Sequence, residues 1–103
     1  MSTLTDILDP KDSAEIIDVA APFAALLADI ASHTVEVSVL RGGHDADPAA
    51  LLSGAASVSG TTVTQRVTGG RPGTTYLLRF RAVDAAGRAY VRQAELAVTG
   101  PGA

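Results

Sequence analysis

From Thr34 to Leu40 the chain alternates, with Val35, Val37 and Val39 set against Thr34, Glu36 and Ser38. A period of two predicts a strand with one dry face and one wet face, as in an antiparallel sheet. The same signature recurs from Thr75 to Asp84. There Tyr76, Leu78, Phe80 and Ala82 share one face, and Arg79 and Arg81 project from the other. It recurs again from Thr61 to Thr68, where Val63, Gln65 and Val67 oppose Thr62, Thr64 and Arg66. Residues Ala55 to Ser59 pair with that strand through a turn at Ser59-Gly60. Ile16, Ile17 and Val19 make Glu15 to Ala20 a strand, with Pro22 at its end or on a sheet edge. The last strand, Arg88 to Val98, breaks its own phase, because Val91 falls out of step with Leu96 and Val98. A β-bulge between Arg92 and Glu95 would restore it.

Turn signals separate these runs. Gly69-Gly70-Arg71-Pro72-Gly73 and Asp84-Ala85-Ala86-Gly87 are tight connections. Asp45 to Gly54 predicts a short helical turn, with Asp47 as N-cap, Pro48 at the first helical position and Gly54 just past the end. Phe23, Leu26, Leu27 and Ile30 have helical spacing, so Phe23 to Asp29 is open between a helical turn or two and a bulged strand extension. The reading leans to an irregular segment that tucks Phe23 and Leu26 inside.

Six or seven short strands without strand–helix alternation predict an all-β fold, an immunoglobulin-like antiparallel β-sandwich with one short helical turn. Residues 1–12 are expected to be a flexible lead-in, 13–98 the sandwich domain and 99–103 a disordered tail. The expected core is Ile17, Val19, Phe23, Val35, Val37, Val39, Val63, Val67, Tyr76, Leu78, Phe80, Val91 and Leu96. Tyr76 enters a strand just after Pro72-Gly73-Thr74-Thr75, a position at which a sandwich tyrosine bonds its hydroxyl back to nearby backbone.

Composition narrows the function. The chain has 103 residues, which is one domain. Its 8 basic and 11 acidic residues give a net charge of −3, which argues against nucleic-acid binding. With no cysteine there is no disulfide and no thiolate site. Met1 to Asp6 lack the basic, then apolar, pattern of a signal peptide. No apolar run approaches the roughly 20 residues of a membrane span.

The candidate chemistry is sparse. His44, Asp45 and Asp47 resemble a metal cluster but lack further ligands, and Asp47 is expected to cap a helix, so no metal is expected. His33 has no nucleophile and orienting acid at readable spacing, so no catalytic residue and no cofactor are expected. Gly42-Gly43 and Gly69-Gly70 open no helix with a Lys-Ser/Thr pair and are turns rather than phosphate loops. Arginines crowd the C-terminal third. Arg79, Arg81 and Arg92 are the candidate partner-binding stripe, suited to an acidic protein surface. An ordinary solvated face, with Glu95 nearby, accounts for them equally well. An aromatic binding cluster has only Phe23 and Tyr90 as candidates.

Several motifs occur together: Asp9-Pro10-Lys11-Asp12, the run from Ile30 to Val37, and Leu52-Ser53-Gly54. To these add Val63-Thr64-Gln65-Arg66-Val67-Thr68-Gly69-Gly70, the entry Pro72-Gly73-Thr74-Thr75-Tyr76 and Ala86-Gly87-Arg88. From Asp9 to Val98 the chain resembles the small immunoglobulin-like fiber-tail adaptor proteins of tailed bacteriophages and prophages. One departure is a connection between Leu27 and Ile30 shorter than the glycine-containing turn of that family. The resemblance implies a structural virion protein at the neck or tail, made in the host bacterial cytoplasm. Its partners would be the tail adaptor or portal-proximal protein and the tail fiber. It would be present in several copies of a symmetric assembly, with no enzymatic activity. The alternative is an immunoglobulin-like module that binds protein or carbohydrate.

Overall fold

The computed structural model describes residues 5–23 and 29–100. They form β1 (Thr5–Ile7), β2 (Lys11–Asp12), β3 (Ile16–Pro22), β4 (Ser32–Gly42), β5 (Ser57–Ser59), β6 (Thr62–Thr68), β7 (Thr74–Val83) and β8 (Ala89–Thr99). A 3-10 helix, Pro48–Leu51, links β4 to β5. The strands make two sheets in a sandwich-like, all-β arrangement. The larger sheet has the order β1-β8-β7-β4, with β2 also on β8, and the smaller has the order β3-β6-β5.

The alternating faces meet in the middle. Val63, Gln65 and Val67 from β6 are buried, as are Tyr76, Leu78, Phe80 and Ala82 from β7. Ala21, Leu51, Ala94 and Val98 complete the core alongside Val19, Phe23 and Leu96. Val35, Val37 and Val39 pack against this core but stay half-buried, because β4 is the last strand of its sheet. Phe23 is fully buried, as expected, while Leu26 and Leu27 lie outside the described residues. Gln65 is tolerated inside because the two N–H of its amide Nε2 donate to the backbone carbonyls of Arg66 (2.8 Å) and Gly54 (3.2 Å), with that of Ser53 farther off at 3.5 Å.

Two expectations about the strands are corrected. The β7–β8 ladder runs without a break from Thr74↔Val98 to Val83↔Ala89, so there is no bulge between Arg92 and Glu95. Arg92 therefore takes a core-side position opposite Phe80, and Val91 faces outward opposite Arg81. A long arginine stem can line apolar surface while its head stays polar, so the ladder need not be interrupted to turn Arg92 away. The break lies in β4 instead, where Leu40 is skipped between Val39↔Tyr76 and Arg41↔Thr75.

The segment expected to be a flexible lead-in supplies two strands. Both β1 and β2 run parallel to β8, with Ile7↔Glu95 and Lys11↔Val98. Between those pairs Leu8, Asp9 and Pro10 face only Leu96 and Ala97, a bulge that absorbs the missing N–H of Pro10. Lys11 is 1% exposed. Its Nζ donates to the carbonyls of Gly69 (2.8 Å) and Asp12 (2.9 Å), tying the segment to the end of β6. Burial lowers its pKa, against the raising pull of Glu15 and Asp12. The next turn closes on itself, with Asp12 N–H donating to Glu15 Oε1 (2.7 Å) and Ala14 N–H to Asp12 Oδ1 (2.8 Å). At the other end Thr99, expected to begin the tail, is the last residue of β8, and residues 101–103 lie outside the described residues.

Candidate partner-binding surface

The outer face of the larger sheet carries the arginines. Arg79 lies between Glu36 and Gln93 in the ladder, and Arg81 lies between Thr34 and Val91. Both are exposed, and neither has an ion pair among the described residues. Arg92 does not join them. It sits on the opposite face, with its Nε buried and without a hydrogen-bond partner among the described residues. The third arginine of the outer face is Arg41, whose Nη2 meets Glu95 Oε1 at 2.7 Å. Counting by twos from Val35 would put Arg41 inside; the skipped Leu40 turns it out. The face thus offers two uncommitted guanidinium groups, each a planar fork of donors suited to carboxylates. Leu77 and Val91 add half-buried apolar surface beside them.

One end of the sandwich is held by Tyr76. Its hydroxyl accepts from Arg71 N–H (2.8 Å), the backbone bond expected of this tyrosine. It also donates to Asp45 Oδ2 (2.7 Å), a partner the sequence reading missed. Asp45 Oδ1 in turn accepts Asp47 N–H (2.9 Å). The Tyr76 bond, then the Asp47 amide, hold the Asp45 carboxyl below its ordinary pKa, while burial and then the Asp45 bond push the Tyr76 phenol up. Asp47 makes no side-chain cap on the 3-10 helix, contrary to expectation; its backbone lies at φ −137 and ψ 71, and the turn closes on its carbonyl, which accepts Ala50 N–H at 3.1 Å. Both Asp45 oxygens are committed, so His44, Asp45 and Asp47 do not form an open ligand set. Gly42, at φ +90, closes against the Gly73 carbonyl, where a Cβ would collide, and Gly43 N–H reaches the same oxygen at 3.1 Å.

The β7–β8 turn is built on Asp84, 6% exposed. Its Oδ1 accepts from Arg88 N–H (2.9 Å) and Ala86 N–H (3.0 Å), and its Oδ2 from Arg88 Nε (3.1 Å). These bonds, led by the Arg88 amide, lower its pKa.

His33 lies on the inner side of β4 with Nε2 3.3 Å from the Ala56 carbonyl. It lines an open cleft of about 270 Å³ with Val35, Leu52, Ala56 and Gln65. The cleft lining holds no carboxylate to orient the imidazole. Of the two aromatic candidates, Phe23 is in the core and Tyr90 is half-buried, so they form no exposed cluster.

Set beside known families, residues 11–97 match the family model described as podophage GP4 fiber-tail adaptor protein gp77. No curated protein and no solved structure matches. The matched span begins at Lys11, the buried lysine that fastens the first strands to β6.

Proposed function

The chain belongs to the podophage fiber-tail adaptor family, and from that premise we propose that it is a structural virion protein that attaches tail fibers at the neck or tail. In this reading it performs no catalysis and takes no cofactor. Its fold is an immunoglobulin-like sandwich, a reading supported by the two sheets and the Tyr76 corner. It is made in the host cytoplasm, and several copies enter a symmetric tail beside the tail adaptor and the fiber. The docking surface is the outer face of the larger sheet, with Arg79 and Arg81 meeting an acidic protein surface. The observation that carries the surface is their exposure on a sheet face without an ion pair among the described residues. Exposed charges of this kind set encounter rate and specificity more than raw affinity, so docking weakens as salt rises. The test is a phage deleted for this chain. Particles that assemble but lack fibers, or that fail to assemble, support the reading; fibered, infectious particles without the chain refute it.

A further inference from the structure

Strand β4 ends the larger sheet with one edge free. Among the described residues its backbone pairs with β7 alone. From Ser32 to Val39 the register is unbroken, and that stretch holds no proline, lysine or bulge, common devices that blunt an edge. Thr34, Glu36 and Ser38 are exposed on its outer side, while His33, Val35, Val37 and Val39 are half-buried on the inner side.

The smaller sheet does not cover this edge. Residues 52–56 form no strand apart from the bridge Leu52↔Val67, and β5 begins only at Ser57. Between β4 and that segment lies the cleft beside His33. Val35, Leu52 and Ala56 give it apolar walls, His33 and Gln65 add polar groups, and no lysine, arginine or carboxylate lines it. At about 270 Å³ it is smaller than a typical small-molecule pocket of ~300–1,000 Å³. Its size suits a side chain that arrives on a backbone better than a free ligand.

We infer that β4 is a second docking site, where an extended segment of a partner protein adds a strand to the larger sheet. The unpaired edge sets the occupant's backbone, because only an extended chain matches its row of donors and acceptors. The alternation sets its side chains. Those facing inward are uncharged and apolar, one of them in the cleft and the next ones beside Val37 and Val39. Those facing outward are polar, with a lysine or arginine beside Glu36, which has no ion pair among the described residues. The partner class rests on the reading above, but the site is separate from the arginine face. The edge binds through backbone and apolar contact, the face through charge, and a link between two components needs two contacts.

The test is nuclear magnetic resonance of the isotope-labelled full chain, titrated with short overlapping synthetic peptides that span the tail fiber and the tail adaptor of the same phage. A peptide of the expected pattern should bind and shift the amides of residues 32–39 and 52–56. Strand addition uses every second peptide amide. N-methylation of one alternate set should therefore abolish binding, and N-methylation of the other set should leave it intact. Ala56→Phe, which fills the cleft, should weaken binding about tenfold or more, the effect of one buried apolar side chain. A thermal melt checks that this variant stays folded, and the methylated peptides test the site without altering the protein.

No peptide bound at roughly 1 mM, equal binding of the two methylated forms, a folded Ala56→Phe chain that binds as well as the wild type, or shifts confined to the arginine face would each overturn the inference. So would a chain that dimerises through β4 without any peptide, which would make a second copy the occupant. If no peptide binds yet deletion of the chain strips the fibers, this inference falls and the adaptor reading stands. If fibers persist without the chain, that reading falls, while a peptide bound along β4 still establishes the site.

Discussion

Strands β4 and β7 lie side by side with the same alternation, yet their inward faces differ in depth. Tyr76, Leu78 and Phe80 are 0–1% exposed, while the valines paired with them, Val39, Val37 and Val35, are only half-buried. The pattern along a strand tells which way a side chain points. How deeply it is buried depends on what lies on either side, and β7 has a neighbour on both edges where β4 has one. A strand's place in the sheet, which its own residues do not encode, sets its energetic weight.

The contrast is sharpest in truncation. Phe80→Ala is expected to cost about 3–5 kcal/mol, the transfer term plus the cavity left in a packed centre. Against a total stability of about 5–15 kcal/mol for a domain of this kind, that brings the chain close to unfolding, which urea titration would read directly. A loss under about 1 kcal/mol would place Phe80 outside the core.

Tyr76→Phe comes next. It keeps the buried ring but removes the hydroxyl that joins Arg71 N–H to Asp45, for an expected loss of about 1–3 kcal/mol. The same change should flatten the acid response. Asp45 and Asp84 have folded pKa values below the ordinary 3.8, so in acid the unfolded chain takes up protons first. Their stabilisation is complete above that ordinary value and is lost as pH falls through the lower folded values. Thermal melts between about pH 6 and about pH 3 should show stability falling with pH, less steeply in Tyr76→Phe than in the wild type.

Val37→Ala, on the half-covered strand, should cost about 1 kcal/mol, well short of Phe80→Ala, because part of its surface is already in water. Equal losses at the two positions would show that β4 is as deeply packed as β7. The smallest effect is expected on the wet side of the same two strands, where Arg81→Glu should change stability by no more than about 0.5 kcal/mol.

Parity was therefore the legible part. It put Tyr76, Leu78, Phe80, Val63 and Val67 inside and Arg79 and Arg81 outside. The sequence reading placed Gln65 correctly beside Val63 and Val67 but went astray at two other polar residues with interior places, Arg92 and Lys11. Val91, apolar but out of step with Leu96 and Val98, pointed to a bulge that the ladder does not contain; Val91 faces outward and Arg92 takes the core-side place. Lys11 looked like part of an exposed arm, because nothing local reveals that the Gly69 carbonyl, 58 residues away, will accept from its Nζ. Strands β1 and β2 are held largely by backbone hydrogen bonds to β8, which leave little side-chain signature. At the candidate surface Arg41 was hidden by the skipped Leu40, and the Asp45–Tyr76 bond by its span of 31 residues.

The central claim is that the outer arginines of the larger sheet serve assembly while the inner residues of the same strands serve the fold. The most direct measurement is fiber occupancy, counted by electron microscopy, on phage particles carrying Arg79→Glu with Arg81→Glu, alongside the melting temperature of the purified variant. The account predicts a melt close to that of the wild type and particles stripped of fibers. Fully fibered particles from a chain that bears both reversals would contradict it.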